Sequence, residues 1–351
     1  MPRKEKKLVV QIQETKATRQ LRNRKSHSFR LERWKNGYPP VYTVRGKRNV
    51  RVQELYTPVG IPKEFSFIKN PNGALKVIAR LKEYCRLGKS VRINFYGVRE
   101  LTNDAIILLL SVMDEFTQRH IAVVGTYPNN KVIRSRLEQS GFFSHVYGDV
   151  QKSNATTKNT IFTENSNTVS SDLSSNIIES ASNTVFGDNR TNEGLQRVLI
   201  ECMTNTFDHA NLKIEGEEHW WLSIEHDDVN KKVAFAFIDN GAGILKSIVR
   251  TSDIKGVGLL VQKFLIDGNV NLLRRMLEGK LKKGFKSRTG KPNRGKGIPG
   301  IYEAFKRNSF SNLQIITNDI HAKCATDEYI ELKQPFVGTF IYLEYDQTNT
   351  D

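Results

Sequence analysis

Cysteine is scarce and badly placed for chemistry. The three in 351 residues, Cys85, Cys202 and Cys324, stand far apart with no Cys-x-x-Cys pair. That spacing excludes a disulfide framework or a zinc site and fits a reducing compartment. Long apolar runs are missing too. None reaches the roughly 18 residues that a membrane-spanning helix needs, and the basic N-terminus lacks the apolar stretch of a signal peptide. A cytoplasmic protein with no membrane role is expected. Acidic residues are nearly absent at the start. Residues 1–60 hold 16 Lys/Arg against 4 Asp/Glu, so an excess of 12 out of the net charge of +17 lies in the first sixth of the chain.

What is present bounds the rest. Hydrophobic residues make up 38%, with 18 Phe and 11 Tyr, enough to build a core. The length suggests two domains. Residues 1–62 read as a basic arm in which Trp34, Tyr38 and Tyr42 are interleaved with the cations. Such an arm suits a nucleic-acid backbone, with aromatics available for stacking. It equally suits a solvated tail or a dock for an acidic protein surface.

Residues 63–148 have an αβ rhythm. Gly73–Leu87, Asp104–Phe116 and Asn130–Gln139 read as helices, the last ending at Gly141, and Val91–Phe95 and Ile121–Gly125 read as strands. Helices alternating with short strands imply a small covered sheet. Residues 149–184 turn to Ser, Thr and Asn and read as a polar linker, within which "SSNIIESASNTVF" is also a candidate first helix of the next domain. The second domain is placed at 185–351.

Its sharpest signal is "LQRVLIECMTNTFDHAN", residues 195–211. Leu195, Val198, Leu199, Cys202, Met203 and Phe207 make one apolar helical face. Glu201, Asn205 and His209 recur every four residues and form a stripe at its edge. An Asn carbonyl oxygen suits Mg²⁺, and a carboxylate one turn away can orient and deprotonate a water. An amphipathic helix with a solvated polar edge would look the same. Next, "KKVAFAFIDNGAGI" is an apolar strand that ends in Asp239-x-Gly241-x-Gly243. A carboxylate there can accept from an adenine amino group, and the glycines admit a base close to the backbone; alone, "DNG" also reads as a hairpin turn. Further on, "NRGKGIPGIYEAF" sets Gly295, Gly297 and Gly300 just ahead of a helix-like stretch, where backbone N–H groups can meet phosphate. Gly338 and Thr339 open a last strand at residues 336–345. Two apparent P-loops fail, because "LGKS" and "TGKP" have Glu83 and Phe285 where the motif needs Gly.

In order and spacing these boxes resemble the GHKL, or Bergerat-fold, ATPases, a superfamily that includes gyrase, the ninety-kilodalton heat-shock chaperone, histidine kinases and mismatch-repair ATPases. "ECMTNTFDHA" is most similar to the anti-sigma-factor serine kinases. The resemblance covers about residues 185–347. It implies an α/β chain whose C-terminal domain is an α+β two-layer sandwich binding Mg-ATP. By resemblance Glu201 is the general base, Asn205 the Mg²⁺ ligand and Asp239 the adenine reader. Gly241, Gly243, Gly295, Gly297 and Gly300 become pocket and lid glycines, and Thr339 lies under the adenine. His209 closes the first box. About residues 246–296 make a long lid, in which Arg294 or Lys296 either closes on the γ-phosphate or belongs to a solvated loop.

The front domain resembles a STAS domain, the fold of anti-sigma-factor antagonists, over about residues 75–147, through its strand, Gly97-Val98, helix, strand, Gly125, helix and Gly141-Phe142. The antagonists' phosphorylatable serine falls at Asp104, which has no hydroxyl, while Thr102 nearby reads as a helix cap. A chain ending straight after its nucleotide domain is expected to lack the coupling domain of gyrase, chaperone or mismatch-repair relatives. No phosphoacceptor helix pair is legible before it. The leading expectation is therefore a slow ATPase that acts as an ATP-controlled switch on an unidentified protein partner, with a homodimer compatible. The alternatives are a serine/threonine protein kinase of the anti-sigma type and a nucleic-acid-binding regulator or defence component that uses the basic arm.

Overall fold

The computed structural model describes residues 56–140, 142, 160–164, 171–210, 220–246, 268–280 and 297–349. The fold is mixed α/β, with parallel strands in the front part and antiparallel strands behind. The basic arm therefore lies outside the described residues up to Tyr56, and Gly141 lies outside them as well.

In the front part β1 (Thr57–Gly60), β3 (Val91–Asn94) and β5 (Val123–Gly125) form a parallel sheet in the order β1-β3-β5. A two-residue parallel ladder joins β2 (Glu64–Phe65) to β4 (Glu100–Leu101). Parallel neighbours need crossovers, supplied by α1 (Pro71–Arg86) and α2 (Asn103–Gln118), with α3 (Lys131–Gln139) after β5. Each helix starts for a local reason. Pro71 stands at the first position of α1, and the Asn70 side chain accepts from Gly73 N at 3.0 Å. Asn130 accepts from Val132 N at 2.8 Å ahead of α3. The sequence reading missed β1, which lies inside the stretch assigned to the arm; its four residues pair with Val91–Asn94 from outside any local pattern.

The second sheet runs in the order β6-β7-β8-β10-β9, all antiparallel, from β6 (Thr160–Glu164), β7 (Trp220–Asp227), β8 (Lys232–Asp239), β9 (Ser311–Lys323) and β10 (Glu328–Asp346). The strand expected at 336–345 is thus the second half of a longer one, broken by register shifts around Phe336 and Thr339. On one face lie α4 (Ser171–Phe186), α5 (Glu193–Ala210), α6 (Gly268–Leu277) and α7 (Gly297–Lys306). The expected linker at 149–184 needs correction, while the helix read at "SSNIIESASNTVF" inside it is found as the body of α4. Residues 160–164 are the edge strand β6, and α4 starts at Ser171, because Ile177, Ile178, Ala181 and Val185 recur at helical spacing and are buried. Their apolar stripe outweighs the Ser/Thr/Asn composition around it.

The other face of this sheet is covered by the front part. Trp221, Ala236, Ile238, Ile316, Phe336 and Phe340 belong to the same buried cluster as the cores of α1 and α2. Phe67 packs edge-on against Phe336 and Phe340, with ring centroids at 5.2 and 4.9 Å. Strand alternation accounts for the division. Along β8, Phe235 and Phe237 face α4 to α7, while Ala236 and Ile238 face α1 and α2.

Candidate functional site

Helix α5 begins under a buried cap. Asn192 accepts from Leu195 N at 2.6 Å and donates to Ser309 O at 2.9 Å, tying the helix start to the segment after α7. Leu195, Val198, Leu199, Cys202 and Met203 are buried against the sheet. This fixes the helix rotation and leaves Glu201 and Asn205 half-buried at the edge of that face.

The start of α7 comes to this edge. A Cβ on Gly297 would lie 3.0 Å from the Asn205 side-chain amide and 3.0 Å from Glu201 Oε2, so a side chain there would have to push both groups back from the helix N-terminus. Gly297 and Gly300 were expected ahead of the helix; they occupy its first turn instead, and Arg197 lies beside Gly300, 3.5 Å from where its Cβ would be. Arg197 Nε also lies 4.0 Å from Glu201 Oε1. The sequence reading missed Arg197, although its position one turn before Glu201 carried the signal.

Asp239 ends β8, aligned with Trp220 of β7 and Thr339 of β10. By strand alternation it faces the α5 side, and it is 9% exposed, low enough for directional bonding in a weakly solvated setting. Its Oδ1 accepts from Gly241 N at 2.8 Å, closing a tight turn. The turn is pinned from β9. Ile244 N donates to Thr317 Oγ1 at 2.9 Å, Leu245 N to Asn318 Oδ1 at 2.9 Å, and Asn318 Nδ2 to Ala242 O at 3.0 Å. Gly243 has φ +82, and a Cβ there would meet the Asn318 amide. Thr317 and Asn318 also escaped the sequence reading; a Thr-Asn pair inside an apolar strand was the available signal. Gly338, at φ +135, passes so close that a Cβ would run into the Asp239 carbonyl oxygen. The glycine before Thr339 thus lets β10 lie against the end of β8.

Cys202 links the two groups. Burial pushes its thiol up, and the charges of Asp239 and Glu201 add to the effect. The thiol is therefore an inert packing group, not a nucleophile. Of the expected site residues, Glu201, Asn205 and Gly297 come together, with Gly300 one turn on, and Asp239, Gly241, Gly243 and Thr339 form the adjoining strand-end turn. His209 lies in the last turn of α5. Arg294, Gly295 and Lys296, with most of the expected lid, lie outside the described residues.

At the front, Thr102 takes the N-cap position of α2, but its hydroxyl donates to Phe65 O at 3.4 Å and makes no cap bond. Asp104 is buried, and its Oδ2 accepts from Phe67 N at 2.5 Å, Ile68 N at 3.1 Å and Ser66 Oγ at 3.2 Å. Burial nonetheless raises its carboxyl above the ordinary range. The Asn240 side chain, beside Asp239, donates to Ser111 O of α2 at 3.4 Å, so the strand-end turn touches the front part directly. The chain matches no protein-family model and no curated protein among those compared with it.

Proposed function

We propose that β6 to β10 with α4 to α7 form a Bergerat-type Mg-ATP-binding unit and that the protein is an ATP-controlled switch with slow hydrolysis, acting on a protein partner. The observation that carries this reading is the meeting of Glu201, Asn205 and Gly297. A carboxylate, an amide oxygen and a helix N-terminus, drawn from segments almost a hundred residues apart, converge at a glycine whose missing side chain leaves the space between them.

The donor set fits the nucleotide. Asn205 would hold Mg²⁺, which on binding would neutralise phosphate charge. Glu201 would orient and deprotonate the attacking water. The N–H groups of the first turn of α7 would face phosphate with the positive end of the helix dipole. Asp239, set at a pinned turn over small residues, would accept from the adenine amino group, with Thr339 beside it. The front part is read as STAS-like. Its Asp104, at the position of the antagonists' serine, is buried and has no hydroxyl, so this chain is not its own phosphoacceptor there. Asn240 supplies a contact through which nucleotide at Asp239 can be felt by α2, and the switch can shift a partner's affinity only as far as the partner distinguishes the two states.

The test uses purified full-length protein, Mg²⁺ and γ-labelled ATP. Wild type is expected to release labelled phosphate slowly. Glu201→Ala is expected to bind ATP normally and turn over at least about a hundredfold more slowly. Asp239→Asn is expected to weaken ATP binding about tenfold or more. Equal affinity in wild type and Asp239→Asn would sink the adenine assignment, and label on protein would replace the ATPase with a kinase.

A further inference from the structure

Asp239 is the last residue of β8, and beyond it the ladder to β10 no longer fixes the chain. Its carboxylate is aimed by the turn that follows, because Oδ1 accepts from Gly241 N at 2.8 Å. If the turn moves, the carboxylate moves with it. Whatever holds the turn therefore aims the group assigned to the adenine amino group.

Two buried side chains of β9, Thr317 and Asn318, hold it. Asn318 grips the turn at two points: its Oδ1 accepts from Leu245 N at 2.9 Å and its Nδ2 donates to Ala242 O at 3.0 Å. Thr317 also reaches β10. Its Oγ1 accepts from Ile244 N at 2.9 Å and lies 3.2 Å from Gly338 O and 3.3 Å from Asn318 Oδ1. A hydroxyl has one proton to give. Gly338 O is the nearer acceptor, and Asn318 Oδ1 already receives Leu245 N, so the proton goes to Gly338 O. One hydroxyl thus ties the turn after Asp239 to the bend of β10 where Gly338 passes the Asp239 carbonyl oxygen.

The tie lies in line with the site. Register sets Asp239, Thr339 and Thr317 in one row across β8, β10 and β9. An apolar pair would fill the same interior with no polar group to satisfy. The polar pair supplies what an apolar one cannot, a fixed position for the turn relative to β10.

We infer that Thr317 and Asn318 are positioning residues for base recognition. Through the turn they hold the Asp239 carboxylate at the angle that accepts from an amino group, and so set a preference for adenine over guanine. Guanine presents a carbonyl oxygen where adenine presents that amino group, and a fixed carboxylate repels it. A carboxylate whose turn is loose discriminates less. The inference rests on the nucleotide reading and adds to it two residues that act through Asp239.

Equilibrium binding of ATP and of GTP to the full chain with Mg²⁺ tests it. Wild type is expected to prefer ATP. Thr317→Val keeps the shape of the side chain and removes the hydroxyl, while Asn318→Gly suits the left-handed backbone at φ +52 and removes both side-chain bonds. Each is expected to lower the ratio of ATP to GTP affinity about tenfold, mainly through weaker ATP, the equivalent of about one well-directed hydrogen bond. Thr317→Ser keeps the hydroxyl and is expected to leave the ratio within about twofold of wild type. A residue that only stabilised the fold would scale both affinities through the folded fraction and leave their ratio alone, so melting temperatures are recorded beside the ratio. Equal loss of both nucleotides, or a ratio unchanged in both Thr317→Val and Asn318→Gly, would overturn the inference while the nucleotide reading stands. A wild type that binds neither nucleotide, or both alike, fails that reading itself and the inference with it.

Discussion

His321 is the residue whose protonation the fold resists most plainly. It lies in β9 at 1% exposure, and its Nε2 donates to Gln314 Oε1 at 2.9 Å. Burial, with Lys323 adding repulsion, pushes its pKa down to about 4 from the ordinary 6.5. Because the folded value lies below the unfolded one, its contribution is fully present above about pH 6.5 and is lost as pH falls toward 4. The shift corresponds to about 3 kcal/mol at most. Asp104 and Glu225, both raised by burial, act in the opposite sense as their carboxyls are protonated. The measurement is therefore the difference between wild type and His321→Gln in urea unfolding at pH 7 and pH 4.5. Wild type is expected to lose about 2 kcal/mol more than the variant over that interval. Parallel losses would show that His321 is not held neutral. Nothing in the sequence marked this histidine, because its partner is fixed only by the folding of β9. The helical stripe of Glu201 and Asn205 and the strand end at Asp239, in contrast, are legible from spacing, since helical and strand periodicity operate within a few residues, while the roles given to them come from the family resemblance. Thr317 and Asn318 were not, because the turn they pin lies more than seventy residues earlier.

Among the elements, α1, α2 and α3 appear within a few residues of where apolar periodicity puts them, and α2 could hardly be missed with Ile106 to Leu110 all buried. Composition misled at α4. Its Ser, Thr and Asn residues resemble a linker, yet the sheet it covers is distant in sequence, and four buried side chains suffice once that surface exists. Four-residue β1 and five-residue β6 are too short for a period to register, and each is specified by the strand it joins. The helix and linker readings of 171–184 differ in a measurable way. Ile177 is 1% exposed, so Ile177→Ala is expected to cost about 2–4 kcal/mol in chemical denaturation. Asn176, exposed on the same helix, is expected to change by no more than about 0.5 kcal/mol on replacement by Ala. Two near-zero values would return the segment to a linker.

At the scale of the whole molecule, the front part and the antiparallel sheet share one buried cluster. A sequence reading that counts domains from length has no means to foresee this, because the outer face of the sheet looks apolar only by alternation and its cover comes from a part that also has its own core. Lys333 N donates to Asn72 Oδ1 at 2.9 Å and Arg136 pairs with Glu225, so polar contacts frame the apolar ones. Two bodies joined this way should unfold together, since opening the interface exposes Trp221, Ile238 and Phe340 on one side and Phe67 on the other. Trp220 and Trp221 report on the sheet once Trp34→Phe removes the third tryptophan. In that background, tryptophan fluorescence and far-ultraviolet circular dichroism are expected to give superimposable urea transitions. Phe67→Ala, which takes a fully buried ring from between Phe336 and Phe340, is expected to move both to lower urea by about 3 kcal/mol. A fluorescence transition left in place while the dichroism moves would mean that the sheet stands without its cover, and the contact from Asn240 to Ser111 would then carry no signal between them.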